Sequence, residues 1–224
     1  MATTQKSILT NHQKKVLELI SQEDYFTKRF YLAGGTALAE FYLQHRLSED
    51  LDLFTEKQEV NPIHIIRFFE NSAKKLNVKK IETKKVFGLH TLFLHFQDQE
   101  VLKVDFNYYP FPRIEKGMKF KNLEIESIYD IGVDKVHTVV VKPRARDFID
   151  IFFITKEKKY SFEELLLQAK AKFDWDISLM ELGARFVEGS KMTDFPRMVK
   201  PINHQEWQNF FIEEAKKLKK DLFE

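Results

Sequence analysis

From Asp50 to Phe54 the chain reads DLDLF, acidic and apolar residues in alternation. Strand side chains point to opposite faces in turn. A strand here therefore sends Leu51 and Leu53 into a core and keeps Asp50 and Asp52 on one face, about 7 Å apart at Cα. Acids are poor strand formers, so such a pair implies that something positive is met on that face. A second alternation, in VLKVDFNYY (101–109), buries Leu102, Val104 and Phe106 and turns Asp105 the other way with Lys103 and Asn107. If the two strands are neighbours, three carboxylates converge. Hard-oxygen clusters of that kind suit Mg²⁺ or Mn²⁺, completed by water and substrate phosphates.

Upstream, FYLAG (30–34) reads as a short strand ending on Gly34-Gly35, and Thr36 as the cap of a helix running through Ala37, Leu38, Phe41 and Tyr42 towards His45. Glycines let a backbone approach closely, and a helix start offers free N–H groups to phosphates. Either element alone reads as structural, a tight turn or a solvated acidic strand. In this order they favour a phosphoryl-transfer site.

The layout supports an α+β protein. Residues 12–29 read as an amphipathic helix, and Asn61-Pro62 opens another. Three segments rich in β-branched and aromatic residues follow (78–87, 90–96 and 100–109), with hairpin turns expected at Gly88 and 97–99. After LEIES (123–127) the pattern becomes helical. The expectation is a mixed sheet flanked by helices in an α/β domain over 1–126, then a helical region over 127–224.

Composition narrows the chemistry. Lys+Arg (36) and Asp+Glu (34) nearly cancel over 224 residues, which argues against coating nucleic acid by bulk charge but leaves room for a local basic groove. With no cysteine, disulfides, thiol catalysis and thiolate metal sites are excluded. The opening MATTQKSILTNHQKK lacks an apolar core for a secretory signal, and no run reaches membrane-span length, so a cytoplasmic protein with no membrane partner is expected. G-K-[ST], G-x-G-x-x-G, G-x-S-x-G and H-E-x-x-H are all absent. The basic stretch EEAKKLKKDLF (213–223) reads as a solvated helix face rather than an RNA contact.

Residues 34–54 carry a resemblance. GGTALAEFYLQHRLSEDLDLF is similar to the AbiEii/AbiGii-type nucleotidyltransferase toxins of the polymerase-β-like nucleotidyltransferase superfamily, matching at Gly34, Gly35, Thr36, Ala37, Leu38, His45, Arg46, Ser48, Asp50, Asp52 and Phe54. DKVHTVVVKPRARDFIDIFF extends it, aligning Lys135 with a phosphate-holding lysine and Arg146, Asp147 and Asp150 with a later R-D-x-x-D block, while Thr138 and Lys142 depart from the pattern. The resemblance implies a polymerase-β-like fold and transfer of NMP from an NTP to a hydroxyl, with tRNA or other RNA as acceptor. It further implies Mg²⁺ (or Mn²⁺) at Asp50, Asp52 and Asp105, catalytic roles for these with Lys135 and Asp147, and NTP contacts from Gly34, Gly35, Thr36, Arg46, Ser48 and Lys135. The implied setting is the toxin of a type IV-like toxin–antitoxin or abortive-infection system, with an antitoxin partner. The rival readings are a small-molecule, antibiotic-type nucleotidyltransferase and a non-catalytic nucleotide-binding module. From the residues themselves, DFIDIFFI is apolar nearly all round and predicts a buried helix, with Asp150 paired to Arg146 four residues before it.

Overall fold

The computed structural model describes residues 6–158 and 160–221. It divides into two compact units. One runs to Tyr42 and resumes over Ser48–Ser127; the other combines Leu43–Leu47 with the chain from Ile128 onward.

The first unit begins with α1 (Asn11–Ile20), opened by a capping box in which Thr10 and Gln13 exchange side-chain and backbone hydrogen bonds. Helix α2 (Asp24–Thr27) is separate, so the single helix expected over 12–29 is broken, with turns at Ser21 and Gln22 between the two. Strand β1 (Tyr31–Ala33) follows, then α3 (Gly34–Leu38), which passes into one π-helical turn over Ala39–Leu43. The cap of α3 is Ala33; Thr36 lies inside the helix. Next come β2 (Leu51–Thr55), α4 (Pro62–Leu76), and the meander β3 (Val78–Val86), β4 (Leu89–Phe96) and β5 (Val101–Tyr108). The last strands are β6 (Lys119–Phe120), too short to leave a periodic signal, and β7 (Leu123–Ile125).

These strands form one mixed seven-stranded sheet in the order β3-β4-β5-β2-β1-β7-β6. The alternation in β2 and β5 sets which face is buried: Leu51, Leu53, Leu102, Val104 and Phe106 are all within the core. Their face is filled with aromatic rings, Phe26 and Phe30 lying within 5.6 Å and 5.2 Å of Phe106 and Phe69 within 6.2 Å. Helix α4 supplies Phe69 from an apolar stripe that also buries Ile65 and Leu76.

The second unit contains α5 (Ile128–Val141), α6 (Ala145–Lys158), α7 (Phe162–Phe173), α8 (Leu179–Gly189) and α9 (His204–Asp221). Helix α6 is buried on nearly all sides, as its apolar run predicts. Phe148, Phe162 and Phe186 meet Phe211 edge-on or tilted, at centroid distances of 4.8–6.2 Å. A Cβ on Gly189 would stand 2.3 Å from the Phe148 ring, so only glycine permits that approach of α8. The segment Leu43–Leu47 is tied in by backbone bonds, Leu47 N–H to the Arg197 carbonyl and Val199 N–H to the His45 carbonyl, each 2.8 Å. The basic stretch 213–223 belongs to α9 as far as Asp221; Leu222 and Phe223 lie outside the described residues.

Candidate active site

The sheet brings together acids that lie far apart in sequence. Strand β2 pairs in parallel with β5, and Asp52 stands opposite Asp105. Asp50 precedes β2 by one residue and sits on the same face as Asp52 by alternation. Asp105 is nearly buried, its side chain 8% exposed. Its Oδ1 accepts a 2.6 Å hydrogen bond from the Thr91 hydroxyl on β4, whose register places Thr91 opposite Asp105.

A cation already occupies this face. The Lys103 Nζ donates to Asp105 Oδ2 at 2.6 Å and to Asp50 Oδ2 at 3.2 Å. Burial pulls the lysine pKa down, but the hydrogen bond it donates to Asp105 and the charges of Asp105, Asp50 and Asp52 outweigh it and raise the pKa above the ordinary value. Among the described residues, no group of three or more His, Cys, Asp or Glu side chains is drawn together closely enough to hold a metal ion. The carboxylates are instead spaced around an ammonium.

Gly34 closes the site from the side. It has φ +69°, and a Cβ there would lie 2.7 Å from Asp52 Oδ2, so glycine is needed for both backbone and space. Its N–H donates to the Glu126 carboxylate at 3.4 Å. The Thr36 hydroxyl, buried, donates to the Asp50 carbonyl, so its side chain positions the acid strand rather than capping a helix. Ser48 offers its carbonyl to the Gln13 side chain at 2.8 Å.

Arg46, Lys135 and Asp147 gather in the second unit. Asp150 accepts from Arg46 Nε at 2.6 Å and Nη2 at 2.7 Å, and from His45 Nε2 at 2.8 Å. Lys135 bonds Asp147 and reaches Asp150 Oδ2 at 2.9 Å, while Arg144 Nε donates to Asp147 Oδ2 at 2.8 Å. The expected Arg146–Asp150 pair is corrected here: the carboxylate is neutralised by Arg46 and Lys135. A fully buried carboxylate needs several donors, and the fork of Arg46 with His45 beside it supplies three. Burial favours the neutral acid, but the charges of Arg46 and Lys135 and the hydrogen bonds from Arg46 and His45 hold the Asp150 pKa well below the usual range. Burial likewise holds His45 below an ordinary histidine, against the pull of Asp150. Since a carboxylate only accepts, the neutral ring carries its proton on Nε2.

Thr91 and Glu126 escaped the sequence reading. Thr91 lies in an apolar run where a lone hydroxyl was a readable signal; Glu126 follows a strand too short to orient it.

A family model described as "Nucleotidyl transferase AbiEii toxin, Type IV TA system" matches residues 18–220. A protein of Aquifex aeolicus, aq_aa25, is 28% identical over 146 residues, which span 64% of this chain and 66% of that protein. Among solved structures, JHP933 from Helicobacter pylori is similar with a TM-score of 0.58 and 19% identity, covering 95% of this chain and 92% of that one. A second H. pylori structure, described as a candidate nucleotidyltransferase, matches with the same score and identity over 95% of both chains. At that identity the likeness is one of fold: a mixed sheet with flanking helices, as in nucleotidyltransferases.

Proposed function

The chain belongs to the AbiEii nucleotidyltransferase toxin family, a family of enzymes, and from that premise we propose that it transfers NMP from an NTP to a hydroxyl of RNA. The observation that carries this reading is the Asp52–Asp105 register, with Asp50 on the same face. Three carboxylates beside a glycine backbone suit a divalent ion in donor chemistry, and the Lys103 ammonium found among them supports a cation-accepting face. Asp50, Asp52 and Asp105 would hold Mg²⁺ or Mn²⁺, which when bound supplies Lewis-acid polarisation and neutralises phosphate charge.

The chain's own groups then divide the work. Gly34 and Gly35 let phosphates approach the backbone, and Thr36 fixes Asp50 through its carbonyl. Thr91 holds Asp105 Oδ1, and Oδ2, engaged here by Lys103, would take the acceptor's proton once that ammonium is displaced. The acceptor oxygen bonds to the α-phosphorus, the bond to the β-phosphate bridge breaks, and pyrophosphate leaves. In the second unit, Arg46, Lys135 and Arg144 outnumber Asp147 and Asp150 by one charge. That excess supports a phosphate-facing role for Lys135, which is 10% exposed and held in place by Asp147. Arg46 is held by Asp150 and Ser48 by Gln13, and both remain candidates for nucleotide contact. The family description supports the role of a toxin with an antitoxin partner.

Incubation with labelled NTPs and either total RNA or small hydroxylated acceptors tests the reading. Label in RNA, lost in Asp52→Ala, is expected. Label only in small acceptors would favour the antibiotic-modifying alternative, and no transfer with retained NTP binding would favour the binding module.

A further inference from the structure

Lys103 and Asp105 lie two residues apart on one face of β5, so the ammonium is delivered to the carboxylates by the strand itself. It bridges Asp105 and Asp50 at 2.6 Å and 3.2 Å. Without it, Asp50 and Asp105 would lose the ammonium that bridges their like charges. A lysine that merely stabilises a strand would be indifferent to what else binds there, but this one sits where the divalent ion of the proposed reaction must go.

We propose that Lys103 is the place-holding cation of the carboxylate site, so that free divalent metal binds poorly and enters only together with the nucleotide. The inference rests on the metal-dependent reading of that site. An incoming ion must displace an ammonium in contact with two of its ligands. A free ion offers the displaced lysine nothing in return, whereas a metal–nucleotide brings phosphate oxygens. The side chain is free to make that exchange, being 34% exposed on a flexible four-carbon stem. Asp105 does not collapse when the lysine leaves, because Thr91 still holds its Oδ1. Lys103 is thus a positioning residue. It sets the order of loading.

The test uses the full chain stripped of metal and Mn²⁺ alone as probe, its binding followed by the electron paramagnetic resonance of free Mn²⁺. Lys103→Met and the hydrogen-bonding Lys103→Gln should each bind Mn²⁺ at least tenfold more tightly than wild type, with Lys103→Arg close to wild type. The metal-free Tm of the neutral variants should fall and recover on adding Mn²⁺, a response that loss of a merely structural lysine would not give. Adding Asp105→Asn to Lys103→Gln should abolish the gain, which places the ion at this site. Equal Mn²⁺ affinity in wild type and both neutral variants, lost with Asp105→Asn, would overturn the role of Lys103 and leave the carboxylate site standing. No Mn²⁺ binding to any form would overturn both.

Discussion

Asp52 and Asp105 face each other across adjacent parallel strands, although a helix, a long meander and two turns separate them in sequence. Removing one of them removes charge from a face that already repels itself, so the fold should survive. Asp52→Ala is expected to lower nucleotidyl transfer by about 10³-fold or more, the scale of losing several kcal/mol of charge stabilisation, with a Tm at or above that of wild type. Parallel activity and thermal-melt measurements check this; full activity would remove Asp52 from the site.

Gly34 should be intolerant of any side chain. Gly34→Ala imposes a left-handed φ on an L-residue and drives a methyl into the Asp52 carboxylate. A loss of about 1–3 kcal/mol is expected, read as a drop in the urea midpoint, together with a fall in transfer larger than the stability loss explains.

How far the sequence could be read depends on range. The alternations in DLDLF and VLKVDF were local, and they gave the facing directions of Leu51, Leu53 and Val104 directly. The pairing of β2 with β5 was not local, because nothing in either strand specifies its neighbour. Asp150 illustrates the same limit: Arg146 is the nearest plausible cation in sequence, yet the partners are Lys135 and, 104 residues away, Arg46. The polar pair His45-Arg46 ahead of the acidic strand was the available clue. Thr36 differs from its expected role for another reason: the helix opens two residues earlier, at Gly34, which puts Thr36 inside its first turn.

The Arg46–Asp150 contact should dominate the stability of the second unit. Truncating one partner leaves the other buried with its charge poorly met, at a cost of about 3–5 kcal/mol. Arg46→Met is expected to lower the urea midpoint accordingly, and Arg46→Lys should rescue only part of it, because a lysine cannot reproduce the two-pronged contact. A midpoint unchanged in Arg46→Met would show that Lys135 and His45 suffice.

Acid should destabilise the protein in two steps. His45 has a folded pKa below its unfolded value, so the unfolded chain takes up the proton first and stability falls as pH drops through about 6.5. Asp150 is also depressed, so its contribution is present above about 3.8 and is lost as pH falls further. His45→Gln keeps an N–H donor near the Nε2 position without titrating. Its Tm should vary less than that of wild type between pH 7 and pH 5, measured by circular dichroism; an identical slope would exclude His45 as the source.

Lys135 separates two roles by where the damage appears. As a phosphate-facing charge, Lys135→Ala should weaken NTP binding in isothermal titration while most of the protein remains folded. Loss of the folded population with normal binding in the remainder would make it a purely internal counter-ion of Asp147 and Asp150.

The excursion of Leu43–Leu47 into the second unit gives synthesis an order. On the ribosome, Arg46 emerges well before Asp150, and it must wait, exposed, for α5 and α6 to arrive. The same arrangement defines how the chain can be split. Two polypeptides divided after Ser127 would each lack something the other carries, the first half holding the guanidinium and the second half the acid it neutralises. Reassembly of such halves would therefore depend on seating residues 43–47, and a synthetic peptide carrying them becomes a ready-made competitor for it.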